Sequence, residues 1–299
     1  MSKQSKKATK KKKADKKVKK KKQMKKLGLT KFIPKDKQPK KVKSTPQVAN
    51  QEGEDQKPKK RVLNIKRQQK GLSLVDKCKL QMSSSLLRLV DEKLYTSDAS
   101  NISLNRDEFT AYHDAYNHAS ESWPTKPIDF IVKFIKKRLL TKKSVHKFKF
   151  ADIGCGPEPA LKKKLPARAN VQSFDLVSTH EDIVEANMEK LPLDNDSVHC
   201  TVYSLSLMAR NLGNILMEAK RILKINGSLL IVEVTSRFEG RERRFIAKVE
   251  RLGFKKKSMT TLKPNAYFTF FHFGKIDNQF NYPPSFLNIE LKPCVYKAR

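Results

Sequence analysis

Apolar side chains are almost absent from the stretch KKATKKKKADKKVKKKKQMKK and sparse through the rest of the first 70 residues. Blocks of like charge with nothing to bury predict a disordered basic arm over 1–70. The pattern changes at Leu72. Through LSLVDKCKLQMSSSLLRLVDEKLY, the residues Leu74, Cys78, Met82, Leu86 and Val90 recur at every fourth position, which predicts one apolar stripe of a helix. After the polar break TSDASNISLNRDE come two more segments with helical spacing, FTAYHDAYNHASESW and, beyond Pro124 and Pro127, IDFIVKFIKKRLL. Residues 71–146 are expected to form a helical extension or cap on the domain that follows.

From Lys147 strands and helices alternate. KFKFADIG reads as a strand ending in glycine, and PEPALKKKL as a short helix with Pro157 just inside its start. VQSFDLV is a second strand, DIVEANM a short third and SVHCTVYSLSL a long fourth. In NLGNILMEAKRILK the residues Leu212, Ile215, Leu216, Ala219, Ile222 and Leu223 share one helical face, and Asn226-Gly227 is expected to stop that helix. SLLIVEV is the fifth strand, RRFIAKVERLGF a further helix and AYFTFFHFGK a closing strand. This alternation predicts an α/β domain over 147–299, with a mainly parallel sheet covered by helices on both faces.

The formal net charge is +35 over 299 residues. Residues 1–70 hold 28 basic and 5 acidic side chains, net +23, which leaves 37 and 25 for the other 229 residues. So dense a cationic arm points to a polyanion partner, because Lys and Arg displace counterions condensed on nucleic-acid phosphates. The same runs can serve as a nuclear address. A membrane surface fits less well, since no Trp, Phe or Leu is interleaved with the lysine runs of residues 1–26 to enter the interface. No apolar run approaches the roughly 20 residues a membrane span needs. Cys78, Cys155, Cys200 and Cys294 form no C-x-x-C pair and no zinc-spaced cluster, so neither a disulfide framework nor a metal site is expected.

Candidate chemistry lies at Asp152-Ile153-Gly154-Cys155-Gly156, where the first strand meets the first helix of the α/β domain. That position is the ligand crevice of an open α/β sheet. A dinucleotide fingerprint would carry a third glycine where Pro159 stands. Asp152 and Glu158 flank the turn, an acidic rim that suits an ammonium and a sulfonium better than two phosphates. The charge pattern thus favours S-adenosylmethionine over a nicotinamide dinucleotide. Asp175 ends the second strand, 21 residues beyond Gly154, where a carboxylate can accept both hydroxyls of an adenosine ribose. Asn187 and Met188, at the end of the third strand, are placed to meet the adenine, and Ser204 in the fourth strand to line the same pocket.

With these residues in hand, FADIGCG, FDLV, LPLDNDSVHCTVYSLSLM and EAKRILKINGSLLIVEV resemble, in order, the motifs of class I S-adenosylmethionine-dependent methyltransferases. LRLVDEKLYTSDA, AYHDAY followed by WP, SLSLM, EVTSRFEGRERRF and LKPCVYKAR are similar to the ribosomal RNA-processing protein 8 family, also called nucleomethylin. The resemblance covers roughly Leu86 to the C-terminus. It implies a Rossmann-like fold with a seven-stranded sheet, S-adenosyl-L-methionine as cofactor, and a nucleolar enzyme that methylates N1 of an adenosine in large-subunit rRNA. It also implies large-subunit rRNA or a pre-ribosome as partner, with chromatin or nuclear proteins as further partners. The cofactor contacts it implies are His113, Gly154, Asp175, Asn187, Met188 and Ser204; His113 enters through the resemblance alone. Three positions depart from the family pattern: Pro157 stands where an acidic residue is usual, Asn187 replaces Asp, and Ser204 replaces Cys.

On the substrate side, Glu233 at the end of the fifth strand is expected to face the purine and Arg237 a phosphate, with an ion pair between them as the alternative. Phe238 or Tyr203 is expected to stack on the target base. The rival reading of the whole chain is a non-catalytic, cofactor-binding nucleolar or chromatin scaffold that holds RNA through its arm.

Overall fold

A computed structural model describes residues 73–140, 148–276 and 288–294. The basic arm expected over 1–70 lies outside the described residues. Three helices come first: α1 (Leu74–Thr96), α2 (Arg106–Glu121) and α3 (Pro127–Arg138). Asn105 opens α2 with a reciprocal cap, its side chain accepting the Glu108 N–H while the Glu108 carboxylate accepts the Asn105 N–H. Pro127 stands in the first turn of α3. Among the described side chains, the predicted stripe of α1 packs from Leu86 onward. Met82 is 71% exposed, the side chains of Leu74 and Cys78 lie outside the described residues, and Val90 and Leu94 carry the contact with Tyr112 of α2.

The α/β part runs β1 (Phe148–Ile153), α4 (Ala160–Lys164), β2 (Ala169–Asp175), β3 (Ile183–Glu185), β4 (Val198–Ser204), α5 (Leu212–Ile222), β5 (Leu223–Val234), α6 (Glu242–Arg251), β6 (Phe254–Thr261) and β7 (Phe268–Lys275). The strands form one seven-stranded sheet in the order β3-β2-β1-β4-β5-β7-β6. Four pairings are parallel, whereas β7 runs antiparallel to both β5 and β6, so the sheet is mixed. Alternation fills both faces. Leu229 and Ile231 of β5 join α5 and α6 in one core, and Leu230 and Val232 join α3 and α4 in the other. The six residues predicted for the apolar face of α5 are all fully buried.

Several boundaries differ from the sequence reading. Pro157 precedes α4 rather than opening it, because Pro159 disfavours helical geometry at Glu158 and the helix begins after it. The fourth strand stops at Ser204, where Leu205 turns to a φ of 62°. Helix α5 ends at Ile222, and Asn226-Gly227 falls instead inside β5. Strand β6 escaped the pattern altogether. Its FKKKSMTT sequence places Lys255, Lys256 and Lys257 in the open on the edge of the sheet, with only Phe254 buried.

Candidate functional site

Above the C-terminal ends of β1, β2 and β4 lies a cavity of about 490 Å³. The turn after β1 forms its floor. Gly154 and Gly156 adopt φ of 71° and 79°, and a Cβ at 154 would lie 2.3 Å from the Cβ of Ser206, so that turn tolerates no side chain. Ser206 closes the approach by donating its hydroxyl to the Ile153 carbonyl at 2.7 Å. A Cβ at 156 would meet the ring of His113 at 3.2 Å, which places that imidazole directly over the turn. His113 sits among Phe109, Tyr112 and Tyr116, and burial lowers its pKa to about 4.

Two carboxylates stand beside the turn. Asp175 accepts the Gly156 N–H on one oxygen and the Leu176 N–H on the other, each at 2.7 Å, which leaves further lone pairs on both. Burial nevertheless raises its pKa to about 6 against the lowering effect of those N–H groups. Asp152 is 3% exposed, and burial, followed by the nearby Asp175 charge, raises it to about 7. Among the described residues no Lys or Arg forms an ion pair with either. A buried and a half-buried acid without a cation are costly as anions. A ligand with hydroxyls and positive charge would relieve them.

Asn187 and Met188 follow β3 on the cavity wall, and Ser204 ends β4 there. Asn187 is already engaged. Its amide donates to the Ala99 carbonyl at 2.7 Å, and its oxygen accepts the Glu189 N–H at 2.9 Å. Ala99 in turn donates its N–H to the Asn211 side chain at 2.9 Å, and Asn211 bonds Glu189. This ring of contacts fastens the short 3-10 turn Ala99–Asn101 over the cavity. The six residues named as cofactor contacts, His113, Gly154, Asp175, Asn187, Met188 and Ser204, all line this one cavity.

The expected substrate-side residues stand elsewhere. Glu233 and Arg237 are each 1% exposed and pair with one another at 2.7 Å. Glu233 also accepts the Leu207 N–H at 3.0 Å, while Arg237 donates to the carbonyls of Leu207 and Lys292 and lies 4.5 Å from the ring centre of Tyr95. Neither lines the cavity. The ion-pair alternative is the observed one: the two join β5 to the loop after β4, the C-terminal segment and α1. Tyr203 and Phe238 are likewise core residues, 0% and 4% exposed, so no stacking face is open on either. Beyond His113 the cavity is lined by the rings of Phe109, Tyr112, Tyr116, Trp123 and Phe174, of which Tyr116 and Trp123 continue from His113 toward the surface.

A family model described as "Hypothetical methyltransferase" matches residues 73–299. The Schizosaccharomyces pombe protein named 25S rRNA (adenine(645)-N(1))-methyltransferase is 32% identical over 262 residues, covering 81% of this chain and 80% of that protein. The chain belongs to the ribosomal RNA-processing protein 8 family of methyltransferases. Other relatives bear the family name Ribosomal RNA-processing protein 8. The Arabidopsis thaliana protein is 32% identical over 76% of this chain and 78% of its own length, and the Drosophila melanogaster protein 34% over 76% and 61%. As a family member the chain takes its methyl group from S-adenosylmethionine. The cavity fits that donor: a glycine turn admits close approach of the backbone, and two acids without a counter-cation would meet a nucleoside with a cationic amino-acid tail.

Proposed function

We propose that the protein methylates N1 of an adenosine in large-subunit rRNA in the nucleolus, with its cofactor held by His113, Gly154, Asp175, Asn187, Met188 and Ser204. The observation that carries this reading is the pair of uncompensated carboxylates, Asp152 and Asp175, at the Gly154–Gly156 turn. The name of the fission-yeast relative supports the choice of adenine N1.

When bound, S-adenosylmethionine supplies an electrophilic methyl group on a sulfonium sulfur. Asp175 keeps acceptor capacity for the two ribose hydroxyls while its present N–H bonds fix its orientation. Asp152, once ionised, offsets the positive charge of the amino-acid tail. His113 is neutral near pH 7 and packs on the turn as an apolar lid rather than as a second cation. Adenine N1 already carries a lone pair, so the chain needs no strong base. Its task is to hold N1 in line at near-attack distance. Since N1 is engaged in a Watson–Crick pair, the target base must be unpaired or flipped out of its stack.

Tritium transfer from labelled S-adenosylmethionine to stripped large-subunit RNA tests the reading. Label at N1 of adenosine is the expected result. Absence of label, with S-adenosylhomocysteine binding shown by calorimetry, would leave the non-catalytic scaffold in its place.

A further inference from the structure

Away from Asp175 and Asn187 the cavity becomes aromatic. The ring centre of Tyr116 lies 6.1 Å from that of His113, Trp123 follows edge-on at 5.5 Å, and Tyr267 lies 6.4 Å beyond Trp123. Tyr267 is 41% exposed, so this row runs from the glycine turn to solvent. Phe268 supports Trp123 at 5.0 Å, and the indole packs on the core that contains α3 and α4. An aromatic face fixed from behind and open toward a cavity is what an unstacked base needs. Asn117, one residue beyond Tyr116, also lines the cavity; it is exposed, and its side-chain amide has no hydrogen-bond partner among the described residues.

Building on the methyltransferase reading, we infer that this row seats the target base: Trp123 stacks on the extruded adenine, and Asn117 reads its N6/N7 edge. An asparagine amide accepts from the N6 amino group and donates to N7. That pairing leaves N1 uncovered, on the side of the ring that must meet the methyl group. Guanine presents a carbonyl at position 6 and a protonated N1, so the same amide orientation rejects it.

Trp123 is the only tryptophan in the chain, so its emission reports on this wall alone. The full chain, saturated with S-adenosylhomocysteine, is titrated with pentaadenylate while tryptophan fluorescence and anisotropy of labelled RNA are followed together. Saturable quenching is expected. Asn117→Ala should raise the midpoint about tenfold, the weight of one well-placed base-edge pair, and should leave the midpoint for a 7-deazaadenosine oligomer unchanged. Binding seen by anisotropy without quenching would overturn the inference and leave the methyltransferase reading standing. So would quenching by S-adenosylhomocysteine alone, which would put the cofactor's own adenine on Trp123. If calorimetry shows no S-adenosylhomocysteine binding, both readings fail together.

Discussion

The side-chain amide of Asn187 donates to the backbone carbonyl of Ala99 across 88 residues of chain. A carboxylate at 187 would keep the acceptor used by Glu189 but lose this donor. Asn187→Asp should therefore free the Ala99–Asn101 turn from β3 and cost about 1 kcal/mol, the usual net weight of one hydrogen bond. Hydrogen exchange at residues 99–102 should accelerate, with a small fall in Tm. Unchanged exchange there would show that Asn187 is not what fastens the turn.

Buried Asp152 and half-buried Asp175 predict a pH dependence with a definite sign. Their folded-state pKa values, about 7 for Asp152 and about 6 for Asp175, lie above the ordinary 3.8. Between pH 4 and 7 the folded chain thus binds more protons than the unfolded one, and stability falls as pH rises. The slope is on the order of 1 kcal/mol per pH unit while either group titrates. Asp152→Asn should flatten this fall. Cofactor affinity should move the opposite way, strengthening from pH 5 to 8 as the acids ionise. Calorimetry across that range, paired with thermal melts of the ligand-free chain, reads both trends.

At the glycine turn, Gly154→Ala places a methyl group 2.3 Å from the Ser206 Cβ on a backbone at φ 71°. Neither neighbour is a flexible side-chain end, so the turn must move. Cofactor binding should fall below detection in calorimetry while far-UV circular dichroism stays native. Retained affinity would mean that the turn does not cup the ligand.

Removing one member of the buried pair tests the role of Arg237. Arg237→Ala leaves Glu233 without its cation at 1% exposure, a change that typically costs about 3–5 kcal/mol. Denaturant midpoints should drop accordingly. Because neither residue lines the cavity, S-adenosylhomocysteine affinity of the folded fraction should change little. A selective loss of turnover without loss of stability would return these two residues to the substrate side.

The net charge of +23 on residues 1–70 predicts RNA affinity that falls steeply with salt. A chain beginning at Leu72 should lose most of that slope. Filter binding of both forms from 50 to 300 mM salt makes the comparison, and equal slopes would remove the arm from RNA binding.

What the sequence disclosed depended on whether backbone order or side-chain direction decided the matter. Gly154 and Asp175 were legible because a strand end in an alternating α/β pattern fixes where the backbone emerges. For Glu233, where a purine-facing role and an ion pair were both open, and for Tyr203 and Phe238, side-chain direction was illegible for the complementary reason. Each lies at or near a C-terminal strand end, but alternation along the strand and the turn that follows send its side chain into the interior. Trp123 and Tyr116 were overlooked because an aromatic on or beside a helix reads equally well as core. Only the fold shows that one side of each ring is left open. Strand β6 was missed because three consecutive lysines erase the period of two that marks a half-buried strand.

Those same lysines have a use of their own. Among the described residues β6 is an edge strand of the sheet, a place where another chain could extend it. Any newcomer would have to lay its backbone beside the ammonium groups of Lys255, Lys256 and Lys257. Two such borders brought together would repel at close range, which opposes fusion of sheet to sheet.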